Sequence, residues 1–371
     1  MIDFRYHLVS LISVFLALAV GIVLGAGPLR ESLGDQLAGQ VEQLRTEQER
    51  LRSEAEELST KNDQLASFIA ELGPDLVEGT LAGKQVAVIS DDRSTRPGID
   101  RMLALLNDAG VDAPLQISLQ PALWSPDGAE QRTAALEEVR AVAPGALSED
   151  PSGELTDSAQ LSGLVPTLLH GGEELSAELR TQLWQVLIDN QLVSVDGEAP
   201  SHVDAVIYTG AAPEEHAVDS EDETVATERA QELLASQTHL LGVLAQSGMP
   251  AVVSAATPHN DASTGILRTV RGDHEFDALS TTDRLQEPDG PLLSVLALIE
   301  QTRGGAGAYG TTGDAEDRLP DLPETRGVEQ EAGGQGDGGQ DEGGQGGEEQ
   351  GAPAPDGAGT PAPASDGGGA G

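Results

Sequence analysis

Leucine stands at every seventh position from Leu37 through Leu44, Leu51, Leu58 and Leu65 to Leu72, and that period constrains this chain more than any other feature. The positions between them on the same stripe are Val41, Gln48, Ala55, Asn62 and Ile69. Leucine at each d position and a single Asn among the a positions is the pattern of a parallel two-stranded coiled coil, whose buried amide fixes register at some cost in stability. Glu47 and Arg52 fall at g and the following e, where they can pair between chains. An amphipathic helix packed on its own domain usually carries a wider apolar stripe than this one. The dimer, held by Leu37, Val41, Leu44, Leu51, Leu58, Asn62, Leu65, Ile69 and Leu72, is therefore the reading for residues 31–73. Such a stalk spans roughly 60 Å, and Gly73-Pro74 is expected to end it.

Ahead of the repeat, residues 8–27 carry no charge and are mostly Leu, Val, Ile, Ala and Gly. A run of that length matches the hydrocarbon core of a bilayer, about 30 Å at 1.5 Å per residue. A cleaved signal peptide normally has a shorter apolar region of about 7–15 residues, so residues 1–30 read as an uncleaved transmembrane anchor. Arg5 precedes the run while Arg30 and Arg45 follow it, and the positive-inside balance leaves orientation open. Gly21 and Gly25 have the spacing that lets two membrane helices approach closely, and equally that of two unrelated small residues in a Gly-rich span.

Residues 84–323 read as a three-layer α/β domain. Short apolar runs at 84–90, 203–210 and 250–256 alternate with helical patterns at about 98–109, 225–247 and 290–303. Continuous apolar strands between helices imply a mostly parallel sheet covered on both faces. Residues 112–200, rich in Pro, Gly and acid, with helical patches near 129–143 and 175–189, are expected to decorate that sheet. Residues 324–371 hold almost no large apolar side chain and are expected to be a disordered acidic, Gly-rich tail.

The chain has 63 Asp and Glu against 20 Lys and Arg, a net charge of −43. Nine of those net charges fall in residues 324–371, so most of the acidity belongs to the rest of the chain. A surplus of acid disfavours nucleic acid and anionic headgroups as partners. There is no cysteine, hence no disulfide, thiolate ligand or thiol nucleophile.

No catalytic constellation is present, and the chain is not read as an enzyme. The GAGAYG at 305–310 has the letters of a dinucleotide fingerprint but follows a helix where a strand is required, so it reads as a turn leaving the fold. Asp91 and Asp92 follow the first strand, where open α/β sheets place ligands, and a cation between them competes with two solvated turn acids. The seven histidines show no close ligand spacing, and Met102 and Met249 are the only internal methionines, a poor inventory for Cu(I). His259-Asn260-Asp261 and Asp273-His274-Glu275 offer harder mixed ligands in polar segments that also read as surface loops. No cofactor is assigned and the metal ligands stay unassigned.

The order of parts resembles one known family. An MIDFRYHLVSLISVFLALAVGIVLG start, a leucine-repeat helix, GKQVAVIS, ALSTTD at 278–283, GAYG and a closing RLP at 318–320 resemble the actinobacterial family of mycobacterial copper transport protein B over residues 1–322. The resemblance implies a single-pass cell-envelope protein with its N-terminus in the cytoplasm and its main domain outside, and a role in copper efflux or homeostasis. Copper as a bound metal is implied by the resemblance alone, as is, from a corynebacterial branch linked to envelope assembly, a cytoplasmic partner resembling thiamine pyrophosphokinases. One apolar helix cannot enclose a pore. The alternative is a dimeric scaffold for cell-wall or division partners that does not itself transport copper.

Overall fold

The structure, a computed structural model, describes residues 4–91, 95–151, 153–172, 175–212, 216, 222–256 and 265–323, and within these not the side chains of 25–38. The expected disordered tail, Asp92 and His259-Asn260-Asp261 lie outside the described residues.

Helix α1 runs unbroken from Phe4 to Val77, 74 residues and about 110 Å. It does not stop at Gly73-Pro74 as expected. The proline ring normally clashes with the Cβ of the residue before it, and Gly73 has none. Burial supplies the rest: Gly73 packs beside Leu105 and Leu292, while Val77 and Leu81 are fully buried in the domain core. The stalk's last turn is thus part of the domain.

Seven strands follow: β1 (Val86–Ser90), β2 (Leu115–Leu119), β3 (Val193–Asp196), β4 (Ala205–Gly210), β5 (Ala251–Ala255), β6 (Ser280–Thr282) and β7 (Ala308–Tyr309). Their spatial order is β3-β2-β1-β4-β5-β6-β7, and all neighbours are parallel except β2 and β3. Helices α2 (Arg96–Asp108) and α8 (Gly290–Gln301) cover one face, packing on Val86, Val88, Ala205, Ile207 and Val252. The other face, with Ala87, Ile89, Val206, Tyr208 and Val253, is covered by α3 (Ala129–Val142), α4 (Asp157–His170), α5 (Ala177–Asp189), α6 (Glu223–Ser247) and α7 (Ile266–Gly272). Two cores on opposite faces explain why β1, β4 and β5 are buried at every residue.

Two expectations are corrected. Residues 112–200 do not merely decorate the sheet, because they supply β2 and β3 as well as α3, α4 and α5. Strand β2 is only intermittently buried, so it lacks the continuous apolar run that marks β1. The GAGAYG segment is not only an exit turn, since Ala308–Tyr309 pair with Thr281 and Thr282 as an edge strand.

The final crossover is unusual in hand. From β1 to β2 the chain moves one way across the sheet over the α2 face, and from β4 to β5 the other way over the α6 face, which gives both connections the same hand. From β6 to β7 it moves in the β4-to-β5 direction but over the α2 face. Crossovers of opposite hand are rare because strand twist disfavours them, and β7 is only two residues long.

A buried clamp holds that edge. Arg271 donates from Nε to Thr281 Oγ1 (2.8 Å), from Nη1 to Thr312 Oγ1 (2.6 Å) and Asp314 (2.9 Å), and from Nη2 to the Tyr309 carbonyl (2.9 Å). The fully buried Asp283, 3.5 Å from Arg271 Nη1, accepts from the backbone N–H groups of Thr311 and Thr312 and from the Thr312 hydroxyl at 2.8 Å. Gly310 is fixed by the same packing: at φ 140° a Cβ there would lie 2.1 Å from Asp283 Oδ2. Gly310→Ala and Arg271→Ala should each lower the unfolding free energy by about 3 kcal/mol in urea titrations. Arg284→Ala, which breaks a partly exposed pair with Asp289, should cost under about 1 kcal/mol.

Candidate functional site

Chain direction across the sheet reverses between β1 and β4, and in open α/β folds ligands bind outside the carboxyl ends of the strands at such a point. Asp91 lies there, 3% exposed. It accepts hydrogen bonds from the Tyr208 hydroxyl, from Gln237 Nε2 at 2.6 Å and from the Ala211 N–H at 2.8 Å. Burial, then the neighbouring Asp91, push the Tyr208 hydroxyl well above its ordinary titration range, so it stays protonated and donates. The Asp91 carboxylate is therefore committed to the interior: it is not the solvated turn acid that the sequence suggested, and its hydrogen bonds face away from the alternative, a cation shared with Asp92. Gln237 Oε1 is a buried acceptor without a hydrogen-bond partner among the described residues.

The same level of the sheet carries a row of hydroxyls. Ser118, Ser90, Thr209, Ser254 and Thr282 stand in register across β2, β1, β4, β5 and β6. Ser90 meets Thr95 at 3.1 Å, and Ser294 of α8 meets both Ser254 (2.8 Å) and Thr282 (2.9 Å) while donating to the Gly290 carbonyl. Thr209 donates to the Ile89 carbonyl, while the bonds of Ser90, Ser254 and Thr282 hold the helix starts onto the strand ends, which is a packing role.

An open cleft lies on the α4/α6 face of the domain. It has a volume of about 1520 Å³, runs between α4 and α6 and is bordered by residues 143–156. Asp150 shapes that border: Oδ1 accepts from the N–H groups of Gly153 (2.8 Å) and Glu154 (3.1 Å), and Oδ2 from Leu155 (3.1 Å). His239 of α6 joins it to the helix through Nε2 and Ser148 Oγ, 2.9 Å apart. The α4 backbone passes close to that ring, because a Cβ on Gly163 would lie 2.6 Å from His239 Cδ2.

The residues singled out in the sequence do not converge on one place. Val41, Leu44, Leu51, Leu58, Asn62, Leu65 and Leu72 lie on α1 with exposed side chains, Ile69 is half-buried, and the side chain of Leu37 is outside the described set. Glu47 binds Arg50 of its own helix at 2.6 Å, and Arg52 binds Glu56. His274 is fully exposed against Asp277, Asp273 accepts from the Glu275 N–H, and Glu275 faces α6, so that triplet does not close on a common point. Among the described residues no three His, Asp or Glu side chains gather to hold a metal ion. The cleft and the Asp91–Tyr208–Gln237 cluster were not foreseen, because their parts are far apart in sequence and carry no motif.

The stretch Phe4–Leu24 is long and apolar enough to cross a membrane and is not buried by the domain. Fold and helix together define a membrane-associated protein with an α/β domain at the end of a long helix. The family described as copper transport outer membrane protein, MctB, matches residues 1–320, and the chain belongs to it. The chain is similar to the copper transporter MctB of Mycobacterium tuberculosis strain H37Rv and to that of Mycobacterium bovis. Each is 25% identical over 324 residues, covering 84% of this chain and 96% of the relative.

Burial holds His239 below its usual value of 6.5, against the opposing pull of Glu275 and Asp150. Above that value the ring is neutral folded or unfolded. Below it the unfolded chain takes up the proton first, so this residue's contribution to stability declines as pH falls from about 6.5 toward the lower folded value. Thermal unfolding at pH 7.5 and 5.5 should show a larger acid-induced drop for the native chain than for His239→Gln.

Proposed function

We propose that this protein is a single-pass, membrane-anchored envelope component of copper handling that works as a two-chain platform and not as an enzyme. The observation that carries the copper role is the family match over residues 1–320, together with relatives named as copper transporters. In this reading the N-terminus is cytoplasmic and the α/β domain stands outside, carried by a parallel coiled coil over the part of α1 beyond Leu24. The described strands are two to six residues long, shorter than the roughly nine to eleven a membrane-spanning strand needs. The domain itself therefore serves as a binding body. In a 74-residue helix the part of α1 beyond the span holds that body up to about 80 Å from the bilayer.

Dimerisation is supported by the stripe on α1. Leu44, Leu51 and Leu58 are 69%, 53% and 66% exposed on the single chain, and burying each fully is worth about 1.5–3 kcal/mol. The same stripe favours a second reading, a dimeric scaffold for wall or division partners that moves no copper.

One deletion strain separates the two. Copper handling predicts sensitivity to copper and an altered cellular copper content on deletion, restored by the native gene. Normal tolerance with normal content, accompanied by a division or wall-hydrolase phenotype, would leave only the scaffold. For the stalk, Leu51→Asp with Leu58→Asp should turn the full chain in detergent from dimer to monomer in analytical ultracentrifugation. An unchanged dimer would place the interface elsewhere.

A further inference from the structure

We propose that the α4/α6 cleft is a docking groove for a basic amphipathic segment of a partner protein. At about 1520 Å³ it exceeds the roughly 300–1,000 Å³ of small-molecule pockets. It is open along two neighbouring helices, the shape into which a third helix lays its apolar face. Its lining offers Leu155, Leu179, Pro166 and Val243, with the small residues Ala159 and Ala235 between them.

The charge on its walls is of one sign. Glu149, Asp150, Glu154 and Glu275 line it, and none of the described lining residues is Lys or Arg. Asp150 is occupied by the backbone of its own turn. Glu149 and Glu154, which flank it, form no ion pair among the described residues, and Glu275 has only a 3.4 Å contact from Gln246. The nearby guanidinium of Arg180 is buried and donates to the carbonyls of Gly172 and Leu175, so it does not neutralise the groove. Two carboxylates on a border already shaped by hydrogen bonds, with Glu275 beside α6, give a partly apolar groove an anionic lining. The chain's own acidic residues 324–371 carry a net charge of −9 and are the wrong sign to fill it. The groove is separate from the stalk interface and does not depend on the copper reading.

The test uses the full chain in a non-ionic detergent and a fluorescein-labelled peptide of Leu-Lys-Lys-Leu repeats, read by anisotropy with empty micelles subtracted. Glu149→Gln, Glu154→Gln and Glu275→Gln together should weaken binding about tenfold. Asp100→Asn, Asp108→Asn and Asp112→Asn remove three exposed acids on the α2 side of the sheet and should change it less than about twofold. Thr238→Trp, which fills the cleft without altering charge, should weaken binding as well, with circular dichroism confirming the fold. Equal effects from the two charge variants, undiminished binding by Thr238→Trp with an intact fold, or equal affinity for a Leu-Glu-Glu-Leu peptide would each overturn the proposal.

Discussion

A helix cannot bury its own stripe. Helix α1 leaves leucines at Leu44, Leu51, Leu58, Leu65 and Leu72 at least 42% exposed, and apolar surface arranged in one line over four heptads calls for a facing surface of equal length. The domain offers none, since it grips α1 only at its C-terminal end, where Gly73 packs on the core and Val77 enters it. Everything outside that grip depends on what covers the stripe. In the proposed dimer two domains share one stalk and two membrane spans, and Asn62 pairs with its counterpart to set register.

The domain solves a different problem, a sheet that is apolar through its middle and polar at one end. Where β1, β4, β5 and β6 finish, hydroxyls replace aliphatic side chains in register, and the starts of α2 and α8 close onto them through Thr95 and Ser294. At the edge, Arg271 and Asp283 do with charge what the two residues of β7 cannot do by ladder hydrogen bonding alone. The segments ALSTTD and GAYG, which carry the family resemblance, are the two sides of that clamp. Their composition follows from it: Asp283 needs donors, Thr311 and Thr312 supply them, and Gly310 leaves them room. Within the domain the resemblance thus marks a structural joint.

How much was legible follows from the same physics. Strands β1, β4 and β5 were readable because burial on both faces makes them continuously apolar, and α2, α6 and α8 because they alternate with them. Strand β6 was hidden because Ser280, Thr281 and Thr282 are buried through hydrogen bonds instead of hydrophobicity. Strand β2 was hidden by its partial exposure, and the end of α1 was misplaced because Gly73 spares Pro74 one of its clashes and the domain core holds the turn through Val77. Asp91 was placed correctly at the switch point but misread in role, since the groups that turn it inward, Tyr208 and Gln237, lie 117 and 146 residues away. The cleft left no trace in the sequence, because it is a space between α4 and α6 and not a property of either.

The absence of cysteine, which removes thiolate chemistry from this chain, also makes its central claim directly testable. Gln48 stands at an a position of the stalk and Glu49 beside it on the solvent side. In the full chain in native membranes, Gln48→Cys should oxidise to a disulfide-linked dimer while Glu49→Cys stays monomeric on a non-reducing gel. A parallel coiled coil requires that difference, and failure of Gln48→Cys to cross-link, or equal cross-linking at both positions, would contradict it.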